Sequence, residues 1–167
     1  MSDRLAVEIQ HLPGLLKRFR TLDFVARPAT DFIRDWSSAM YQEIIDTAPT
    51  FRGDLKSSFY INIESSYIPK FGQVYSDDPK ARWLEYGTGE LSEDPQSSQA
   101  AYFPPPSRLR DWSSAHGMDP YVVALGIFRR GGTRPTHFLS NATDAVNSRI
   151  GVMVTNLGQM IELEASR

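Results

Sequence analysis

The chain has 167 residues, 41% hydrophobic and 23% charged, enough apolar material for one core and too much for a disordered chain. It has no cysteine, which excludes a disulfide framework, a thiolate zinc site and a cysteine nucleophile. The net charge of −2 argues against tight phosphate-mediated DNA binding by one subunit, no apolar run approaches the length of a membrane span, and Met1-Ser2-Asp3-Arg4 carries no apolar leader core.

In chain order, Ala6 to Gln10 alternates apolar and polar side chains and predicts a short edge strand. After Pro13-Gly14, the residues Leu15, Leu16 and Phe19 predict a short helix with Lys17, Arg18 and Arg20 on a basic face. Ile33, Trp36, Met40, Ile44 and Ala48 recur every three or four residues and predict an amphipathic helix over about 28–48. Thr30 is its expected N-cap, and Pro49 stops it because the residue before a proline avoids helical backbone. Arg52-Gly53-Asp54 reads as a turn. Leu55 to Ser65 then predicts a strand with Phe59, Ile61 and Ile63 on one buried side.

Tyr67 to Tyr75 predicts a bent strand interrupted by Pro69 and Gly72, and Asp77-Asp78-Pro79 a turn. Ala81 to Tyr86 is a short helix or strand ended by Gly87-Thr88-Gly89. Residues 90–107, acidic and then rich in Ser and Pro, read as an extended loop or arm stiffened by Pro104-Pro105-Pro106. Leu109, Trp112 and Ala115 predict a helix ending at Gly117. Another opens at Pro120 and closes at Gly131-Gly132. Leu139, Ala142, Val146, Ile150, Met153, Leu157 and Met160 predict one last helix over 140–163, the longest element, capped by Ser140 or Asn141. The fold class is α+β. A small, mostly antiparallel sheet packs against a long helix of the N-terminal half and a long C-terminal helix, with short helices between. The whole is read as a single domain, 1–167.

The residues that carry chemistry are scattered. His11, His116 and His137 lie in no metal-ligand spacing, and no G-x-S-x-G motif occurs, so no catalytic set, metal or cofactor is expected. Glu90, Glu93 and Asp94 are hard-cation donors by type, but their spacing matches no metal loop and they read as a solvated acidic loop. Glu85, among Trp83, Leu84 and Tyr86, is expected to be partly buried and paired with an arginine. Gly131-Gly132-Thr133 after Arg129-Arg130 has the glycines of a phosphate cradle but not the Lys-Ser/Thr ending of a P-loop, and reads as a helix C-cap and turn. Arg52-Gly53-Asp54 matches an adhesion tripeptide and reads as a helix-to-strand turn. Residues 85–107 carry a charge of −4; residues 107–137 carry +3, from five arginines and two aspartates. Glu90, Glu93 and Asp94 on one side, and Arg108, Arg110, Arg129, Arg130 and Arg134 on the other, are therefore candidate subunit contacts.

The order of the landmarks carries a resemblance. A long helix ends in Ala48-Pro49. Gly53-Asp54-Leu55-Lys56-Ser57-Ser58 precedes a strand, and Trp83-Leu84-Glu85-Tyr86-Gly87-Thr88-Gly89 follows a second one. Leu109 and Trp112 mark a glycine-ended helix, and Gly131-Gly132-Thr133-Arg134-Pro135 leads through Phe138-Leu139 and Ala142 into the last helix. From about residue 5 to 163 this resembles the small tail-component proteins of tailed bacteriophages, the neck, head–tail joining or tail-completion family. The positions that match are Pro49, Gly53, Leu55, Ser58, Glu85, Tyr86, Gly87, Gly89, Trp112, Pro135, Phe138 and Leu139.

The resemblance implies a structural virion protein of the neck, assembled in the host cytoplasm, and not an enzyme. It implies a closed ring of copies of this chain, sixfold or twelvefold. Its neighbours would be connector or adaptor proteins and tail-terminator or tail-tube proteins, with DNA passing through the lumen without sequence-specific binding, no cofactor and no membrane. The loop 90–107 departs from the family pattern by being longer and more acidic. A domain of this length has a radius of gyration of roughly 15 Å, too small to enclose a duplex, so a DNA passage requires several copies. Two other readings compete. One is a small hydrolase of phosphorylated substrates using Glu85, His137 and the arginines of 108–134. The other is a nucleic-acid-binding module using 107–134.

Overall fold

A computed structural model describes residues 5–8, 23–50, 54–66 and 71–165. The helix predicted at 15–20, His11, Gly53 with the first part of its turn, and residues 67–70 of the bent strand lie outside the described residues. The elements, in chain order, are β1 (Leu5–Glu8), α1 (Asp23–Thr47), α2 (Asp54–Ser57), β2 (Phe59–Ile63), β3 (Gly72–Ser76) and α3 (Pro79–Tyr86). A 3-10 turn (Gly89–Leu91), α4 (Pro106–Ala115), α5 (Pro120–Arg129), α6 (Phe138–Asn147) and α7 (Ile150–Ala165) follow. The fold is α+β, as the residue pattern predicts. Among the described residues no helix is long and apolar enough to cross a membrane. Backbone contacts gather into two compact units, one of Met1–Ala48, Lys56–Asp77 and Leu139–Arg167, the other of Pro49–Leu55 and Asp78–Phe138.

In the first unit the sheet is antiparallel with strand order β1-β3-β2, so the strand predicted near the N-terminus is an edge strand. β3 is central, and α1 packs across β2 and β3 and against α7. The stripe Val25, Ala29, Ile33, Trp36, Met40 and Ile44 is buried along the whole of α1. That stripe extends the helix five residues further toward the N-terminus than predicted, through Pro28. Burial of Val25, Ala26 and Ala29 outweighs the backbone hydrogen bond that a proline removes. Thr30 is consequently not a cap. It lies inside the helix, its hydroxyl donating to the Ala26 carbonyl at 2.7 Å.

Two further expectations are corrected. Phe59 pairs with Ser76, Ile61 with Val74 and Ile63 with Gly72, so the predicted apolar face of β2 exists. Only Phe59 on it is buried, while Ile61 is 40% exposed, because β2 is an edge strand that α1 covers at one end. The strand itself is shorter than predicted, since Asp54–Ser57 forms a single helical turn. The last helix is two, and α1 is the longest element. Around Ser148 and Arg149 the ladder gives way: the Ser148 hydroxyl donates to the Ala145 carbonyl at 2.7 Å, and the Arg149 amide reaches back only to Val146. Arg149 then ties the break to α1 through Glu43 at 3.3 Å. Because α6 starts at Phe138, Ser140 and Asn141 lie within it rather than capping it.

α1 and β3 approach closely where Gly72 faces Ser37. A Cβ on Gly72 would fall 2.1 Å from the Ser37 hydroxyl oxygen, which is itself buried with no hydrogen-bond partner among the described residues. Gly72→Ala is therefore expected to destabilise by about 1–3 kcal/mol, and Ser37→Ala to be neutral or slightly stabilising. The double variant should recover part of the loss. Urea unfolding of the four proteins measures this, and strict additivity would refute the contact.

Candidate functional site

Two of the singled-out segments, 45 residues apart, meet in the second unit. Asp78 caps α3, accepting from the Lys80 amide at 2.9 Å, and Pro79 opens the helix where no N–H is needed. α3 stops at Gly87, whose φ of +76° belongs to the left-handed region. Asp119 caps α5 in the same way, accepting from Tyr121 and Val122, with Pro120 following. At the far end of α5, Gly131 donates to Phe128 and Gly132 to Ile127, both at 3.0 Å, the double bond of a Schellman ending.

These two helix endings lock together. The Thr88 amide donates to the Thr133 carbonyl at 3.0 Å, and the Glu90 and Leu91 amides donate to the Gly131 carbonyl at 2.7 and 3.3 Å. The Thr88 and Thr133 hydroxyls lie 2.8 Å apart, and the Thr133 amide donates to the Thr88 hydroxyl at 3.1 Å. Both the amide and the hydroxyl of Thr136 donate to the Leu84 carbonyl at 2.8 Å, and the His137 amide donates to that of Glu85. A side chain cannot enter this clasp. A Cβ on Gly132 would fall 1.8 Å from the Thr88 carbonyl oxygen, and one on Gly89 would fall 2.4 Å from that of Gly131. Because the amides of Gly131, Gly132 and Thr133 all have partners within the chain, this loop is a C-cap and clasp, not a phosphate cradle.

The acidic segment is fastened to the same unit. Asp94 accepts two bonds from Arg82, at 2.6 and 2.9 Å, and this guanidinium holds its carboxyl below the ordinary aspartate range against the opposing effect of burial. The Glu93 amide donates to Tyr86, and its carboxylate lies 3.4 Å from Nε2 of His137. His137 has a φ of +52°, in the left-handed region. Glu90 is exposed, with its carboxylate beside Gly131. Of the acidic candidates, then, Asp94 is held by its own chain, Glu93 faces His137, and Glu90 is exposed.

Arg130 and Arg134 stand on the rim of an open cavity of about 460 Å³, which Leu91, Gly132 and Thr133 complete. Arg130 donates through Nε to the Gly126 carbonyl at 3.1 Å. Arg129 ends α5, while Arg108 and Arg110 stand on α4, which packs against α5. Among the described residues none of these five exposed arginines forms an ion pair. Phe103, just before the triple proline, lies 5.9 Å from both Tyr121 and Phe128 on α5, and all three rings remain partly exposed.

Glu85, expected to be partly buried, is buried at 2% exposure. Ser58 shares a 2.7 Å bond with Ser76, Leu55 and Leu139 are buried, and Trp112 stacks on His116 at 4.0 Å. Sequence reasoning missed Arg82, Thr88, Thr133 and the Phe103 group. A Gly-Thr pair occurs at both 87–88 and 132–133, a signal that could have found the threonines; nothing in the spacing marks Arg82 as the partner of Asp94. Among the described residues no cluster of three or more His, Asp or Glu is placed to hold a metal. Comparison with protein-family models, curated proteins and solved structures finds no match to this chain.

Two measurements probe the site. Gly132→Ala is expected to destabilise strongly, whereas Gly126→Ala, at a helix-interior glycine with open space around it, should stabilise by about 0.5–1 kcal/mol. Equal effects in thermal unfolding would refute the clasp. Asp94→Asn should cost about 1–3 kcal/mol at neutral pH. Because the folded carboxyl titrates below its unfolded value of 3.8, the advantage of the parent protein is present above that value and shrinks as the pH falls below it. A gap that is flat from pH 7 to pH 3 would refute the pair.

Proposed function

We propose that the chain is a structural subunit of a phage neck, a ring protein that joins the head connector to the tail and leaves a passage for DNA. The observation that carries this reading is the surface of the second unit. Five arginines that form no ion pair among the described residues share it with exposed Tyr102, Phe103, Tyr121, Val122 and Phe128. Arginine and aromatic side chains are the types enriched where protein surfaces meet, because they bring large contact area and directed donors at modest entropic cost. The first unit adds Val152, Val154 and Leu163, exposed on α7, where residues 150–161 contain no charge. The order of landmarks that resembles the neck and tail-completion proteins supports the same reading, and a net charge of −2 suits a conduit through which DNA slides without sticking.

The hydrolase reading asks His137 to act with Glu85, but its imidazole lies against Glu93, and the Gly131–Thr133 amides a phosphate would need already have partners. The nucleic-acid reading draws on the same arginines, and salt separates it from the ring.

Native mass measurement and electron micrographs of the purified chain at rising concentration test the proposal. The expected result is one closed species of many copies, with Tyr121→Ala/Phe128→Ala weakening association about tenfold while leaving the fold intact. A monomer at every concentration, with tight salt-dependent duplex binding in its place, would overturn it.

A further inference from the structure

We propose that the cavity beside the glycine clasp receives the end of α7 from a second copy, with Glu162 against Arg130 and Arg134 and Leu163 against Leu91. The inference rests on the ring reading and names the contact that would build the ring.

The cavity sets the chemistry of its occupant. At about 460 Å³ it takes a protein segment rather than a single ion, and its lining includes one leucine and two arginines. Its own backbone donors are consumed: the Gly132 amide bonds Ile127 and the Thr133 amide bonds Thr88. Recognition of an anion therefore falls to Arg130 and Arg134, neither of which has an ion-pair partner among the described residues. Planar guanidiniums favour a carboxylate held by two donors. The floor is preformed, because the glycines of the clasp fix it, so little order is lost on docking.

The chain offers one segment of matching pattern. Of the exposed large apolar side chains among the described residues, Leu163 alone stands between two acidic neighbours in the sequence, and it is 64% exposed. Glu162 beside it is exposed too. The preceding stretch of α7, from residue 150 to 161, is uncharged, so the acidic pair marks this end of the helix and no other part of it. Cavity and helix end belong to different units of the chain. A contact between two different surfaces is heterologous, and it propagates from copy to copy until it closes. A phosphate backbone would engage the arginines but leave Leu91 without a partner, so an acidic-apolar protein segment is the better complement.

The absence of cysteine makes the test direct. Arg134→Cys and Glu162→Cys proteins, each alone and mixed in equal amounts, are oxidised and resolved by mass. The expected product of the mixture is the mixed dimer, in excess over either like pair. Arg134→Glu and Glu162→Arg should each weaken self-association about tenfold, and the two together in one chain should restore it. Like pairs in excess, or single reversals without effect on a chain that still forms a closed oligomer, would overturn the contact and leave the ring standing. A chain that stays monomeric and cross-links nowhere would overturn both. Duplex DNA that protects Arg130 and Arg134 from chemical modification, while Glu162→Arg changes nothing, would assign the cavity to phosphate instead.

Discussion

How closely two backbone segments can approach decides the architecture of the second unit. The ends of α3 and α5 meet through carbonyls and amides, with no side-chain layer between them, and the two threonine hydroxyls seal the contact. Such proximity tolerates only glycine at 87, 89 and 132, where a Cβ would fall well inside the van der Waals contact distance of a facing carbonyl oxygen. Two helices that would otherwise be joined by long, irregular chain become one body, and the residues on the clasp's edge acquire fixed positions. Arg130, Arg134, Glu90 and Leu91 lie next to this contact in the chain, and its backbone bonds help fix where they stand.

That rigidity gives the charge pattern its meaning. As a sequence the chain shows an acidic stretch followed by a basic one, which suggests that the two attract each other between copies. In the fold the acidic stretch is largely occupied at home. Asp94 is clamped by Arg82, and Glu93 faces His137. Among the described residues the arginines of 108–134 form no ion pair. The proposed complement of the basic rim is thereby moved from the acidic loop of a neighbour to the acidic end of its last helix, where an exposed leucine accompanies the carboxylate.

Much of the fold is legible from side-chain period alone. The stripe from Ile33 to Ile44 marks α1, Pro120 marks the start of α5, and Gly131-Gly132 marks its end. Legibility fails where a distant part of the chain decides the outcome. Thr30 resembles a cap, but apolar contacts made by Val25 and Ala29 carry the helix past it. The stripe of the C-terminal segment continues through Ser148, but local side-chain and backbone bonds interrupt the helix there. Ile61 lies on the apolar face of its strand and is nevertheless half uncovered, because it sits at the sheet's edge.

The sequence by itself determined the α+β class, most helix positions, the glycine punctuation and the segregation of charge, since each follows from propensity, period or capping within a few residues. Only the tertiary structure decided that Gly87–Gly89 and Gly131–Thr133 touch, that Asp94 belongs to Arg82, and that Leu91 lies in a cavity with Arg130 and Arg134. Those pairings join residues 12 to 45 positions apart. No local rule encodes them, because they depend on the free energy of closing loops around a shared core rather than on the preferences of any one segment.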